Sequence, residues 1–506
     1  MNKLLKGLLV TAFAVGTMNA ATNKTFLMPR SQGVNLPMEY TTFNELIQHK
    51  NGDFFGAHFQ VVPFYLESCD KGDLGKYFGF ANKNVIRLSG STNIATSDLA
   101  FRRIFHHADE ATAVADVKFE PELQAYGARI DYYQDLEKIL DGLYLKVALP
   151  IVNVDTDMHI NVSNKAGGNS FFLSSNYIEN YFLGTYGDGN PAATAAAQTG
   201  ADAQQVLKYA KIGGSHSETS VADIDLVLGY KFFDKEKYYV ALNLGLTIPV
   251  GNDADGVWAF EPIVGNGGHW AVGGGLDFSV KLWEKNDQNI KLTGVANYRY
   301  MFEDTEMRTL GLKKSDGTSV NWGQYRYVGT DGGNTAIPAA NVLTKNVEVE
   351  PGSQVDAILY FTYNNGGWTL DLGYNFFWKE REDVKLKGTD FQTATHAIVD
   401  PDWVGTASLL VTNFLPKASD NAVVDGATFD APVVFGTTAY QLIRDNIDTT
   451  VAETPSMDTH KIFAGVGYNW KEWEYPLMLG IGGAYEFAGN DGIENWQVYG
   501  KIGMKF

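Results

Sequence analysis

The sequence predicts an all-β fold, a transmembrane antiparallel up-and-down β-barrel of about 12 strands, give or take about two, with short turns at one end and long loops at the other. Three observations predict it. Segments of strict period 2 recur along the chain, each with one apolar and one polar face. Their connections alternate in length, which a soluble sandwich has no reason to do. After residue 20, no uninterrupted apolar run reaches the ~20 residues of a membrane-spanning helix. The mean hydropathy of −0.17 is that of a water-soluble chain; a barrel explains it, because every second strand residue faces water.

Residues 1–20 read as a secretory signal. Lys3 and Lys6 supply the positive flank, Leu8 to Val15 the apolar core, and Thr17-Met-Asn-Ala20 the cleavage site. No Cys directly follows it, which argues against a lipoprotein anchor. Residues 21–52 carry no strand pattern. Arg30, Ser31, Gln32 and Asn35 make them polar, and Thr42 to His49 suits one or two helical turns. This segment is either a periplasmic lead or a partial plug tucked into the lumen.

The barrel is expected over 53–506. Its strands fall near 54–66, 122–133, 142–153, 220–232, 238–250, 269–282, 289–302, 353–364, 368–378, 459–470, 476–487 and 495–506. In 238–250, for example, Val240, Leu242, Leu244, Leu246 and Ile248 share one face, with Asn243, Gly245 and Thr247 on the other. An even count returns the chain to its starting side, as closure requires. The stretch 112–121 either extends a neighbour or forms a strand of its own. Short turns are read at Glu137–Gly142, Asp234–Lys237, Lys285–Gln288, Asn364–Gly367 and Lys471–Tyr475. Long loops lie near 68–112, 154–219, 304–349 and 381–457, with shorter ones near 251–267 and 488–494. The Ala- and Gln-rich run Ala192 to Ile212 suits a short helix. Trp283, Trp368, Trp378, Trp470, Trp473 and Trp496 sit near strand ends, where amphipathic rings favour the headgroup layer.

The last strand is the most specific element. Trp496, Val498, Ile502, Met504 and Phe506 fall on one face; Asn495, Gln497, Tyr499, Lys501 and Lys505 fall on the other. With the signal and the alternating strands, it resembles bacterial outer-membrane β-barrel (porin-like) proteins, whose closing Phe and alternating aromatics act as the assembly signal. The resemblance implies a place in the cell outer membrane and contact with its lipid and lipopolysaccharide. It also implies a dependence on the barrel-assembly machinery. It identifies no substrate, and no functional residue is carried over.

Composition narrows the function. The net charge of −19 argues against nucleic acid as a partner. The lone Cys69 excludes an intrachain disulfide. The turns Asn252-Asp-Ala-Asp-Gly256, Asp188-Gly-Asn190 and Asp331-Gly-Gly-Asn334 lack the full ligand series of a calcium loop. His106-His107-Ala-Asp109-Glu110 reads as a loop patch, and no cofactor is expected. Arg102 and Arg103 beside it are candidates for lipopolysaccharide phosphates. No Gly-x-Ser-x-Gly elbow or His-Glu-x-x-His motif occurs, and outward-facing His460 has no Ser partner on neighbouring strands, so an enzyme is not expected.

The strands instead offer an aqueous lining. Alternation turns Arg129, Asp131, Lys146, Asp223, Asp225, Lys231, Asp277, Lys281, Lys291, Arg299, Asp356, Asp371, Lys379, Lys461, Glu486 and Lys501 inward. These charges either hydrate a pore or pair with one another and fill it. The expected function is porin-like, passive passage of small hydrophilic solutes or ions. The alternatives are a substrate-specific transporter of hydrophobic molecules with 21–52 as its hatch, or a surface adhesin or structural barrel acting through its loops. Leu149-Pro-Ile151 and Ile248-Pro-Val250 are places where proline disturbs the wall or ends a strand.

Overall fold

The computed structural model describes residues 22–42, 56–90, 98–101, 104, 112–167, 176–185, 203–314, 317–330, 335–393, 395–398 and 442–506. The signal segment, residues 43–52, Arg102, Arg103, the His106–Glu110 patch, Asp188–Asn190 and Asp331–Asn334 lie outside them.

Twelve strands form the wall: β1 Ala57–Ser68, β2 Glu122–Asp135, β3 Leu143–Asp157, β4 Ile224–Lys235, β5 Tyr238–Ile248 and β6 Ala271–Lys285. They continue as β7 Gln288–Met301, β8 Gly352–Asn365, β9 Trp368–Lys379, β10 Met457–Trp470, β11 Leu477–Asn490 and β12 Asn495–Lys505. Each pairs antiparallel with its neighbour in the chain, and β12 returns to β1, with Met504 opposite Phe59 and Val498 opposite Tyr65. The backbones of Ala57 and Phe506 exchange hydrogen bonds of 2.7 and 3.0 Å at the seam. The ladder therefore closes and leaves no edge. A further segment, Ser215–Val221, runs above β4 and pairs with the upper part of β3.

Turn chemistry explains the short end. Two residues join β6 to β7 and two join β8 to β9; Asn286 and Gly366 there take φ of 55° and 59°. Positive φ at such positions matches the twist of the flanking strands, and Asn and Gly adopt it most readily. The outer face is apolar. Leu244 is 72 % exposed, Ile481 66 % and Leu372 60 %, which only a lipid surround makes favourable. Aromatic pairs flank this belt. Trp368 meets Tyr468 near the short turns, and Tyr65 meets Trp496 at the other end. The barrel spans a membrane.

Above the wall the long loops fold together. Val85–Ser89, Val114–Lys118 and Asn161–Ala166 form one sheet, and Asp304–Thr309, Thr344–Glu350 and Asp383–Leu386 another. The stretch 112–121 thus contributes a strand of the loop layer rather than of the wall. Residues 205–212 form no helix; Ala203–Gln204 make a two-residue strand instead. The core of this cap centres on Trp322, fully buried and edge-on to Phe80, Phe119, Phe182 and Tyr325 at 5.4 to 5.6 Å.

Candidate functional site: the lumen and its N-terminal segment

Residues 22–42 bond to inward-facing side chains of β1, β2, β3, β8, β9, β11 and β12. A segment that touches so much of the circumference lies on the barrel axis. Its upper end is part of the cap. Asn23 Oδ1 accepts from the Trp322 backbone N–H at 2.9 Å, and Thr25 Oγ1 donates to the Thr309 carbonyl at 2.5 Å. Arg30 lies at mid-lumen, 2.9 Å from Asp356 and 3.1 Å from Glu486, with its guanidinium 4.5 Å over the Phe377 ring.

A short helix, α1 Leu36–Tyr40, follows. Asn35 caps it by accepting from the Met38 N–H, and Pro37 sits in the first turn, where a missing N–H costs nothing. Thr42 to His49, where sequence suggested helical turns, is described only at Thr42, which is non-helical. Glu39 on α1 is 2.9 Å from Arg129 and 3.4 Å from Lys146, and Lys146 also bonds the Tyr40 hydroxyl. Lys501 donates to the carbonyls of Glu39 and Thr41 at 2.8 and 2.7 Å. The Thr42 N–H donates to Asp371. Leu36 and Tyr40 pack among Tyr133, Tyr144, Tyr239, Tyr360 and Phe463 of the lower lumen.

Of the inward charges expected from alternation, Arg129, Lys146, Asp356, Asp371, Lys379, Glu486 and Lys501 bond to this segment, and Asp223 accepts from Ser31 at 3.2 Å. Asp223 itself sits in the break between Ser215–Val221 and β4. Others pair with wall neighbours: Asp131 with Arg129 at 2.7 Å, Asp225 with Arg299 at 2.9 Å, and Lys461 with Glu486 at 3.0 Å. Asp277, fully buried, has Lys146 at 3.8 Å and the Tyr144 hydroxyl at 3.2 Å. Lys231 and Lys281 pair near the short turns, with Glu137 and Asp234 and with Glu284. Lys291 is buried opposite Thr362 in the β7–β8 ladder.

Among the described residues, cavities remain beside the segment, two of them within the lumen. One, of about 70 Å³, lies against β2–β8 among Glu39, Asp131, Asn243 and Arg299. The other, of about 60 Å³, is mostly apolar, among Val34, Met38, Phe64, Leu66, Leu123 and Ile493. Each has room for only a few waters, far below the ~300–1,000 Å³ of a ligand pocket. The upper lumen departs from simple alternation. Val62, Phe64, Leu66, Leu123, Ala125, Val152 and Val154 take inward positions on β1–β3 yet are apolar.

Sequence reasoning missed Arg30 and Glu39 as ion-pair anchors, because a strandless segment offers no parity from which to orient them. The Asn35-Leu-Pro-Met start of α1 was the available signal.

No family model matches this chain, and no curated protein does. Among solved structures, it is similar to the COG4313 outer membrane channel from Pseudomonas putida F1, at 11 % identity over 90 % of this chain and 100 % of that one, TM-score 0.38. It is similar to the P. putida toluene transporter TodX at 12 % identity over 95 % and 98 %, TM-score 0.31. A P. aeruginosa FadL homologue matches at 9 % identity over 95 % and 99 %, TM-score 0.28. Likenesses at this level carry no argument about the chain, whose own geometry makes it a closed twelve-stranded membrane barrel with its N-terminal segment in the lumen.

Proposed function

We propose that this chain is an outer-membrane transporter closed at rest by its own N-terminal segment, and that it carries substrates with an apolar body rather than serving as an open pore for hydrophilic solutes. The observation that supports this is the threaded segment. Passive diffusion needs a continuous wet path, and residues 29–42 occupy the axis where that path would run. The apolar inward faces of β1–β3 favour the same reading. A porin gains nothing from Phe64, Leu66, Leu123 and Val152 inside its wall, whereas a molecule with an apolar body is desolvated against them. In this mechanism the substrate enters through the cap and the segment shifts within the barrel, uncovering the apolar upper wall that Leu27, Val34 and Met38 pack against, while the closed ladder stays intact.

The test is planar-bilayer conductance of the mature chain beside a variant lacking residues 22–42. The intact chain is expected to stay silent and the deletion to conduct. Toluene, but not glucose, is expected to raise the thermal midpoint of the intact protein. Long-lived, salt-scaled openings from the intact chain would instead restore the open-porin reading.

A further inference from the structure

We propose that a buried charge network at the outer mouth, His269–Glu306–Arg308–Glu382–Lys379, is a lock on the N-terminal segment that holds while His269 carries its proton. The proposal rests on the reading of residues 22–42 as the closure. Four of its five side chains are at most 1 % exposed and the fifth, Lys379, is 2 % exposed. Arg308 and Lys379 grip residues 26–28 directly, Glu306 and Glu382 through one neighbour, and His269 through Glu306 and Arg308. The Arg308 guanidinium lies 3.3 Å over the Phe26 ring. Lys379 donates to the Met28 carbonyl at 3.1 Å. The Met28 N–H donates to Thr454 Oγ1 at 2.9 Å, and Glu382 holds the Thr454 backbone N–H at 2.9 Å.

His269 positions the rest. Its Nδ1 is 2.8 Å from the Phe302 carbonyl and its Nε2 is 2.6 Å from Glu306 Oε1. Both nitrogens thus face oxygens that only accept, so both must donate, and the ring is an imidazolium. The other Glu306 oxygen takes Arg308 Nε at 2.9 Å. Removing one His269 proton leaves the other N–H on Glu306 and sets a lone pair against the Phe302 carbonyl, so the ring loses one of its two anchors and its positive charge beside Glu306. The Glu306 carboxylate then draws more on Arg308, away from its contacts with Glu382, the Ala452 carbonyl and the Phe26 ring.

The charged groups around this ring and its network come from three elements, with Asp253, Glu306 and Glu382 acting on the ring itself. Asp253 and Glu261 come from the β5–β6 loop, and Asp304, Glu306 and Arg308 from the strand Asp304–Thr309. Lys379 and Glu382 come from the end of β9 and beyond. Burial opposes the charge on His269, yet the bond to Glu306 outweighs it and holds the imidazole above its ordinary value. A raised histidine stabilises the folded arrangement at low pH and loses that contribution as pH rises through its folded value. The lock therefore tightens in acid and loosens in alkali.

Hydrogen exchange of the full chain in detergent, between about pH 6 and 9 and corrected for intrinsic rates, reads the lock directly. The reporters are the amides of Asn23, Lys24, Thr25 and Met28, which donate to Gly79, Tyr77, Val451 and Thr454. Their protection is expected to fall about tenfold or more with rising pH in the natural protein. In His269→Gln it is expected to be low throughout and independent of pH. Equal profiles for the two proteins would overturn the proposal. Should His269→Gln fail to give a heat-modifiable barrel, Phe26→Ala decides, since it alters only the segment. Wild-type protection with its pH dependence intact in Phe26→Ala would overturn the lock equally well. Failure of the transport reading would show elsewhere, as silence of the 22–42 deletion in the bilayer.

Discussion

Arg30 ties one point of the axis to two parts of the wall, Asp356 on β8 and Glu486 on β11. Replacing it with Met keeps the stem and removes the charge, leaving two buried carboxylates. Glu486 retains Lys461 at 3.0 Å, and Asp356 retains Asn375 at 2.6 Å. Arg30→Met is therefore expected to weaken docking of the segment by about 3 kcal/mol, at the lower end for a broken buried pair. Exchange at residues 30–34 measures it, and Arg30→Met with Asp356→Asn should recover part of the loss. In the cap, burial first and then the neighbouring Asp255 push the Glu261 carboxyl up to about 8. A carboxyl raised on folding contributes stability that is complete below about pH 4.3 and disappears as pH climbs through the folded value. The cap should thus unfold more readily at pH 9 than at pH 5, and Glu261→Gln should flatten that dependence in a thermal melt. The wall charges were legible from parity alone. Glu261 and Arg30 were not, because their environments come from chain segments far away in sequence.

At the scale of elements, the fit between the segment and the wall depends on missing side chains. Thr41 and Thr42 lie over Gly465, Gly467 and Gly480, where an added Cβ would come within 2.2, 2.9 and 2.4 Å of threonine atoms. Gly480→Val should lift this end of the segment by overpacking worth about 1–3 kcal/mol while leaving the strand pairing intact. Faster proteolysis of the segment beside an unchanged heat-modifiable band would confirm it. Combining it with Thr42→Gly should reverse the effect. If Gly480→Val leaves proteolysis unchanged, Thr42 is not seated there in solution. The wall strands were legible because period 2 is local and each strand's partner is its neighbour in the chain. Helix α1 was not expected, although its Asn35 cap and Pro37 mark its start; the helical turns expected over 42–49 lie, beyond Thr42, outside the described residues.

The described residues form a closed wall and a cap that includes residues 22–28. Sequence located the first and not the second, for a physical reason. The cap's sheets join Asp304–Thr309 to Thr344–Glu350 and Asp383–Leu386, and Asn23 meets Trp322 across 299 residues of sequence. No periodicity encodes such pairings. The two parts should also separate on heating. The wall loses its hydrogen bonds only if the whole ladder opens, whereas the cap rests on side-chain packing, around Trp322 and around Leu312, Val347 and Val349. Trp322 reports on the first of these, since it is fully buried there, while Trp270, Trp283, Trp368 and Trp473 lie exposed on or near the wall. Deleting residues 22–28 removes the Asn23 acceptor for the Trp322 N–H and takes Leu27 out of the same apolar cluster. The change in near-ultraviolet signal from Trp322 is therefore expected several degrees lower in the deletion, while the electrophoretic transition of the barrel stays where it was. If both transitions fall together, cap and wall are one cooperative unit, and the segment stabilises the barrel itself rather than only closing it.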